Sequence, residues 1–196
     1  MTGKIFMIIG RSGSGKDTQV SLLLQHRSDL KRAVLCTTRK PRVDEEFGKD
    51  YYFVTEAVLR SDQLNHDVLE SRQFNLITGP AYYYTRKSIF NLDKFNYVVP
   101  ATLQMYESYR AAFSTAVVPI FLDCTFSTAE DRLQHRATEL NKERVRRLTV
   151  DQVDYTEAHA LQCGIPKRNF IDAGLPQKTV LKDILQIITD NLVQEE

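Results

Sequence analysis

The sequence predicts an α/β layer fold built on a mainly parallel sheet, and three observations predict it. Apolar strand-like runs alternate with segments of helical periodicity along most of the chain. The first such run, Lys4 to Ile9, passes through a glycine-rich turn into a helix-like segment. The later apolar runs are short and unbroken, as strands buried on both faces are.

In chain order, Lys4 to Ile9 is the first strand, and Asp17 to about Gln25 is the helix after it, with Val20, Leu22, Leu23 and Leu24 as its apolar residues. Tyr97 to Val99, Val117 to Leu122 and Asn169 to Ile171 are further buried strands. Helical periodicity marks Ala101 to Phe113, Thr128 to Arg136, Arg144 to about Ala160, and Val180 to Leu192. Between the first helix and Tyr97 the character changes. TTRKPRVDEEFGKDYYFV is dense in charges and aromatics, and ITGPAYYYTRKS follows with a turn signal at Gly79-Pro80. The segment from about 35 to 90 is therefore expected as an inserted subdomain of short strands and one helix, Glu56 to about Leu64, on a core of 1–34 and 91–196.

At 196 residues with 42% hydrophobic content the chain is long enough for one sizeable core, and its composition is that of a folded rather than a disordered chain. Its 26 basic and 25 acidic residues leave a formal charge of +1, so no global field draws it to nucleic acid or to an anionic membrane. Lys4 and the apolar run after it are too short for a signal segment, and no run reaches the roughly 18–20 apolar residues of a membrane span. Cys36, Cys124 and Cys163 are widely spaced and odd in number, which fits reduced thiols used for packing in a cytoplasmic protein. His26, His66, His135 and His159 show no ligand spacing.

Gly10-Arg11-Ser12-Gly13-Ser14-Gly15-Lys16 has the spacing G-x-x-x-x-G-K directly between strand and helix, the context in which that motif cradles phosphate. Glycines let successive N–H groups turn inward, and the helix N-terminus adds about half a positive charge toward the anion. Lys16 adds a mobile point charge over the outer phosphates. Asp17 stands where a hydroxyl usually meets Mg²⁺, and Thr18 is the nearest hydroxyl. An acidic residue in a helix's first turn is favourable toward the dipole, so the loop is expected to keep its function, with Asp17 facing solvent or the magnesium hydration shell. Residues 10–18 are the expected ATP-binding segment.

Several stretches together resemble the guanylate kinase family, across essentially the whole chain and most specifically in its first half. TTRKPRVDEEFGKDYYFV resembles that family's substrate-phosphate segment, which implies Arg39, Arg42 and Tyr51 as monophosphate anchors and Glu45 as its acidic residue. VLESRQF implies Glu70 as a base-reading glutamate. AYYYT resembles the Tyr-Gly-Ser/Thr turn, implying Tyr83 at the phosphate and Thr85 at the base edge, with Tyr84 in place of a glycine. The loop 75–81 reads as longer than usual. RLQHRATELNKERVRRL resembles the family's helical lid, about 136–147, with Arg132, Arg136 and Arg147 at the spacing of its arginines.

The resemblance implies a P-loop NTPase-like parallel sheet flanked by helices, an inserted substrate-binding subdomain and a lid. It implies ATP-dependent phosphoryl transfer to a nucleoside monophosphate, most simply GMP, with Mg²⁺ alongside ATP, small nucleotides as partners, and a monomer or homodimer. Lys16 and the three lid arginines would carry the developing charge. Two departures stand out: VVPATLQ puts Pro100 and Thr102 where the family has an Asp-x-Asp pattern, and Leu35 stands where a serine is usual. GSGKD and the apolar VV strand resemble ribose 1,5-bisphosphate phosphokinase instead. A non-catalytic guanylate kinase-like binding module is a third reading, although such modules are expected to lose the loop lysine and the lid charges. The metal ligands stay open, with Asp123 and Asp17 as candidates.

Overall fold

A computed structural model describes residues 3–76, 79–134 and 155–193. They divide into two compact units, Met1–Arg32 with Leu92–Glu196, and Ala33–Asn91.

In the first unit, strands β1 (Ile5–Ile9), β2 (Leu30–Arg32), β7 (Asn96–Ala101), β8 (Val117–Asp123) and β9 (Phe170–Asp172) form a sheet in the order β2-β7-β1-β8-β9, parallel throughout. All five residues of β1 are fully buried, as a central strand covered on both faces requires. Phe6 and Ile8 point into a core closed by Val20 and Leu23 of α1 (Lys16–His26) and by Val180, Leu181, Ile184 and Ile188 of α6 (Gln177–Val193). Helix α3 (Leu103–Phe113) packs against β8 and buries Leu103, Met105, Tyr106 and Tyr109. Helices α4 (Phe126–Gln134) and α5 (Glu157–Gln162) complete the described part of this unit. β1 sits where the strand order reverses, between β7 and β8, and the loop at its carboxyl end lies at the usual ligand crevice of such sheets.

Among the described residues the expected elements are present with shifted ends, while residues 135–154, which hold most of the expected helix Arg144 to Ala160, lie outside them. Ala101 belongs to β7 rather than to the following helix, because the Thr102 hydroxyl accepts the Met105 N–H at 3.2 Å and sets the helix start one residue after itself. Likewise Thr156 accepts the His159 N–H and starts α5 at Glu157, so Arg144 to Ala160 is not one unbroken helix. Helix α6 begins at Gln177, three residues before its first buried side chain.

The second unit holds β3 (Cys36–Thr37), β4 (Tyr52–Phe53), α2 (Glu56–Leu64), β5 (Val68–Leu76) and β6 (Gly79–Arg86). Its sheet order is β4-β3-β6-β5, with β3 and β4 parallel and the other pairs antiparallel. Cys36, Leu59 and Tyr84 form its buried centre. Tyr84, at the glycine position of the resembled motif, is fully buried and donates its hydroxyl to Asp62, which also accepts Arg86 Nε at 2.7 Å. A long loop over 75–81 is not what forms. Asn75 pairs with Pro80 and Leu76 with Gly79, so β5 and β6 continue as a hairpin almost to the turn.

Candidate active site

The phosphate-loop motif folds as its spacing predicts. Gly15 caps α1 with φ 93°, in the left-handed region, and no side chain caps that helix end. No capping side chain therefore competes with an anion for the first-turn N–H groups. Gly13 has φ +83°, and a Cβ there would lie 2.5 Å from the Ala129 carbonyl oxygen, so α4 packs directly on the loop. Lys16 Nζ donates to the carbonyls of Gly10 at 2.6 Å and Arg11 at 2.9 Å, which holds the ammonium over the loop it would serve. Arg11 is buried and donates to the Tyr155 carbonyl at 2.7 Å. Ser12 is half-buried, whereas Asp17 and Thr18 are exposed on the first turn of α1. Ser14 Oγ is buried without a hydrogen-bond partner among the described residues.

Beside this loop lies a cavity of about 340 Å³ bordered by Gly15, Thr18, Gln19, Arg132, Ala173 and Gln177, among others. Arg132 is fixed at its edge, donating to the Ala173 carbonyl at 2.8 Å. Gln19 escaped the sequence reading. It is buried, its amide donates to the Gln177 carbonyl at 3.3 Å, and its Oε1 has no partner among the described residues. Its signal was faint: one polar residue on the inner face of α1, two positions before Ser21.

In the second unit, Arg39, Glu45, Tyr51 and Tyr83 come together. Arg39 Nη1 and Nη2 each donate to Glu45 at 2.6 Å, a bidentate pair, and Arg39 Nε donates to the Tyr83 hydroxyl at 2.8 Å. The Arg39 guanidinium lies over the rings of Tyr51, Phe53 and Tyr83 at 5.2, 5.6 and 5.8 Å. Its hydrogen bond to Arg39 holds the Glu45 carboxyl below the usual carboxylate range, and Glu45 in turn raises Arg39. Glu45 also accepts the Arg42 N–H at 2.8 Å and folds the loop so that the Arg42 side chain is exposed. Arg39 thus uses four of its five N–H donors on Glu45, Tyr83 and the Lys40 carbonyl. The Tyr83 oxygen accepts from Arg39, so its own proton points elsewhere.

Glu70 and Thr85 are directly opposite one another on β5 and β6, and the Thr85 hydroxyl donates to Glu70 Oε1 at 2.8 Å. Burial pushes the Glu70 carboxyl above its ordinary value, and the Thr85 hydrogen bond and the charge of Arg72 partly offset this. Arg72 was not singled out from the sequence, yet it stands opposite Tyr83 in the same register. The period-two spacing Glu70-x-Arg72 was the available signal, and it becomes visible only once this segment is read as a strand.

Arg136, Arg147 and the expected lid at 136–147 lie outside the described residues. Pro100 sits inside β7, paired with Ile8, and Thr102 caps α3. Asp123 ends β8 opposite Asp172 of β9. Among the described residues no three His, Cys, Asp or Glu side chains form a group able to hold a metal ion, and no helix is long and apolar enough to cross a membrane. All three cysteines are free and buried, and burial pushes each thiol up.

Comparison with known proteins bears on the family and the fold. The family model described as Guanylate kinase matches residues 2–172. A guanylate kinase of Methylobacillus flagellatus is 35% identical over 152 residues, 76% of this chain and 73% of that protein. A guanylate kinase of Homo sapiens is 32% identical over 152 residues, covering 76% and 75%. The crystal structure of guanylate kinase from Anaplasma phagocytophilum superposes with a TM-score of 0.66 at 21% identity, over 97% of this chain and 86% of that one, and shares the fold.

Proposed function

Because this chain belongs to the guanylate kinase family, we propose that it transfers the γ-phosphoryl group of ATP to GMP, giving ADP and GDP. The observation that carries the acceptor side is the Glu70 carboxylate, half-buried and braced by Thr85 across a strand pair. Such a group accepts the N1–H and N2–H donors of guanine, and adenine offers no matching pair of donors.

Each side chain has a positioning or charge-neutralising part, since phosphoryl transfer asks little covalent chemistry of the protein. The uncapped N-terminus of α1 and the Lys16 ammonium meet the donor phosphates, with residues 10–18 as the cradle. Arg132 borders the adjoining cavity, where the rest of ATP fits. On the acceptor, the exposed Arg42 guanidinium and the hydroxyls of Tyr51 and Tyr83 bind the monophosphate. Arg39 acts chiefly by orienting Tyr83 and Glu45, with one N–H left to reach phosphate oxygen. Arg136 and Arg147, outside the described residues, supply further positive charge for the transferring phosphoryl group, and residues 35–90 form the acceptor-binding subdomain.

Mg²⁺ bound with ATP would supply charge neutralisation at the phosphates. The exposed first turn that carries Asp17 and Thr18 suits a cation that keeps most of its water shell. Soluble enzyme in the cytoplasm completes the reading.

A coupled ADP-release assay with ATP and Mg²⁺ across GMP, dGMP, AMP, CMP, UMP, dTMP and ribose 1,5-bisphosphate tests the proposal. Turnover confined to the guanine nucleotides is expected. Turnover only with ribose 1,5-bisphosphate, or with no acceptor, overturns it.

A further inference from the structure

We propose that Arg72 is a further base-reading residue, donating to the O6 and N7 side of guanine while Glu70 takes the N1–H and N2–H side. This rests on the reading of GMP as acceptor.

The β5–β6 register supplies the geometry. Glu70, Arg72 and Phe74 are opposite Thr85, Tyr83 and Ala81, and along β5 these three are half-buried while Ser71, Gln73 and Asn75 are exposed. Alternate residues share one face of a strand and stand about 7 Å apart. Arg72 therefore occupies the same sheet face as the Glu70–Thr85 pair and lies one strand position from it. The Phe74 and Tyr83 rings, 5.3 Å apart and edge-on, wall the far side of that position. The Arg72 charge also lowers the Glu70 carboxyl against the larger effect of burial, which sets the two groups in one electrostatic neighbourhood.

The chemistry supplies the ligand. Guanine presents two donors, N1–H and N2–H, beside two acceptors, O6 and N7. A carboxylate only accepts and a guanidinium only donates, so Glu70 and Arg72 together match that sequence of groups. Adenine is rejected twice: its N1 lone pair would face the carboxylate, and its amine would face the guanidinium. The phosphate end of the face is already occupied by the Arg39, Glu45 and Tyr83 network, which favours the base for Arg72.

The test compares GMP, IMP and 7-deaza-GMP as acceptors for the full chain and for Arg72→Met and Arg72→Lys, with thermal melts as a fold control. IMP keeps O6 and N7 but lacks the exocyclic amine, and 7-deaza-GMP has a C–H at the N7 position. Arg72→Met is expected to raise the KM for GMP and for IMP by the same factor, about tenfold or more, with kcat changed less than about threefold. The unaltered chain is expected to use 7-deaza-GMP less well than GMP, and Arg72→Met to use them equally. Should the Met variant not fold, Arg72→Lys carries the test. A lone ammonium cannot hold O6 and N7 as a fork does, so its preference for GMP over 7-deaza-GMP shrinks toward unity. A KM for GMP within twofold of normal in Arg72→Met overturns the inference and leaves the guanylate kinase reading intact. An unchanged preference against 7-deaza-GMP in either variant does the same. Failure of the unaltered chain to use GMP overturns both.

Discussion

Glu45 grips both Nη atoms of Arg39 at 2.6 Å, and this pair, six residues apart, closes the first half of the loop between β3 and β4. Arg39 and Glu45 are only 7% and 16% exposed, so removing one partner strands the other's charge. Glu45→Ala is expected to lower stability by about 1–3 kcal/mol in urea denaturation at pH 7. It also frees Tyr83 and raises the KM for GMP. The pH dependence has a definite sign. Arg39 lowers the folded-state pKa of Glu45, so the stabilisation is present above the ordinary carboxylate pKa and is lost as pH falls through the lower folded value. An equal stability deficit for Glu45→Ala at every pH down to full protonation would contradict this.

Glu70 must be ionised to accept two guanine donors, and burial raises its pKa. Plots of kcat/KM for GMP against pH should therefore show an acid limb with an apparent pKa above the usual glutamate value of about 4.3. Glu70→Gln should lower kcat/KM at neutral pH and abolish that limb. An acid limb that survives in the Gln variant would belong to another group.

Lys16→Ala removes a half-buried ammonium that donates to the loop carbonyls of Gly10 and Arg11. Turnover is expected to fall at least about 100-fold while the melting temperature stays within a few degrees. Stopped-flow ATP binding would separate lost affinity from lost chemistry.

Two glycines of the loop differ in why they are glycine. At Gly15 only φ is at issue, because a Cβ there meets nothing within 4 Å. Gly15→Ala should cost about 1 kcal/mol. At Gly13 the positive φ is joined by a Cβ 2.5 Å from the Ala129 carbonyl oxygen, and that atom is helix backbone. Gly13→Ala should cost about 2 kcal/mol or more and displace α4. Equal losses by guanidinium denaturation would disprove the steric difference.

What was legible in the sequence depended on how local its cause was. The order β1, loop, α1 could be read directly, because glycine spacing and apolar runs are written within about twenty consecutive residues. Strands of two or three residues, such as β3 and β4, are too short to carry a period. The β5–β6 hairpin was misjudged for another reason. Its inner face bears the half-buried Glu70 and Arg72 and the buried Thr85, so the apolar-polar alternation that announces a strand is replaced by polar and charged side chains. Family resemblance named Arg39 and Glu45 but not their mutual engagement, which is a matter of loop geometry. The extents of α3 and α5 turned on Thr102 and Thr156, polar caps that hydrophobic periodicity passes over.

The total burial of β1 has a further consequence, for the rates at which backbone amides exchange with solvent. Its five residues are hydrogen-bonded between β7 and β8, and none is exposed. Their deuterium uptake then requires global unfolding of the unit, and they become the slowest protons in the chain. The segment Ala33–Asn91 has a buried centre of Cys36, Leu59 and Tyr84, far smaller, so its amides open at lower free energy. A protease limited to opened backbone will cut the hairpin of β5 and β6 long before it reaches Ile5–Ile9, and the piece it leaves will still hold the phosphate loop.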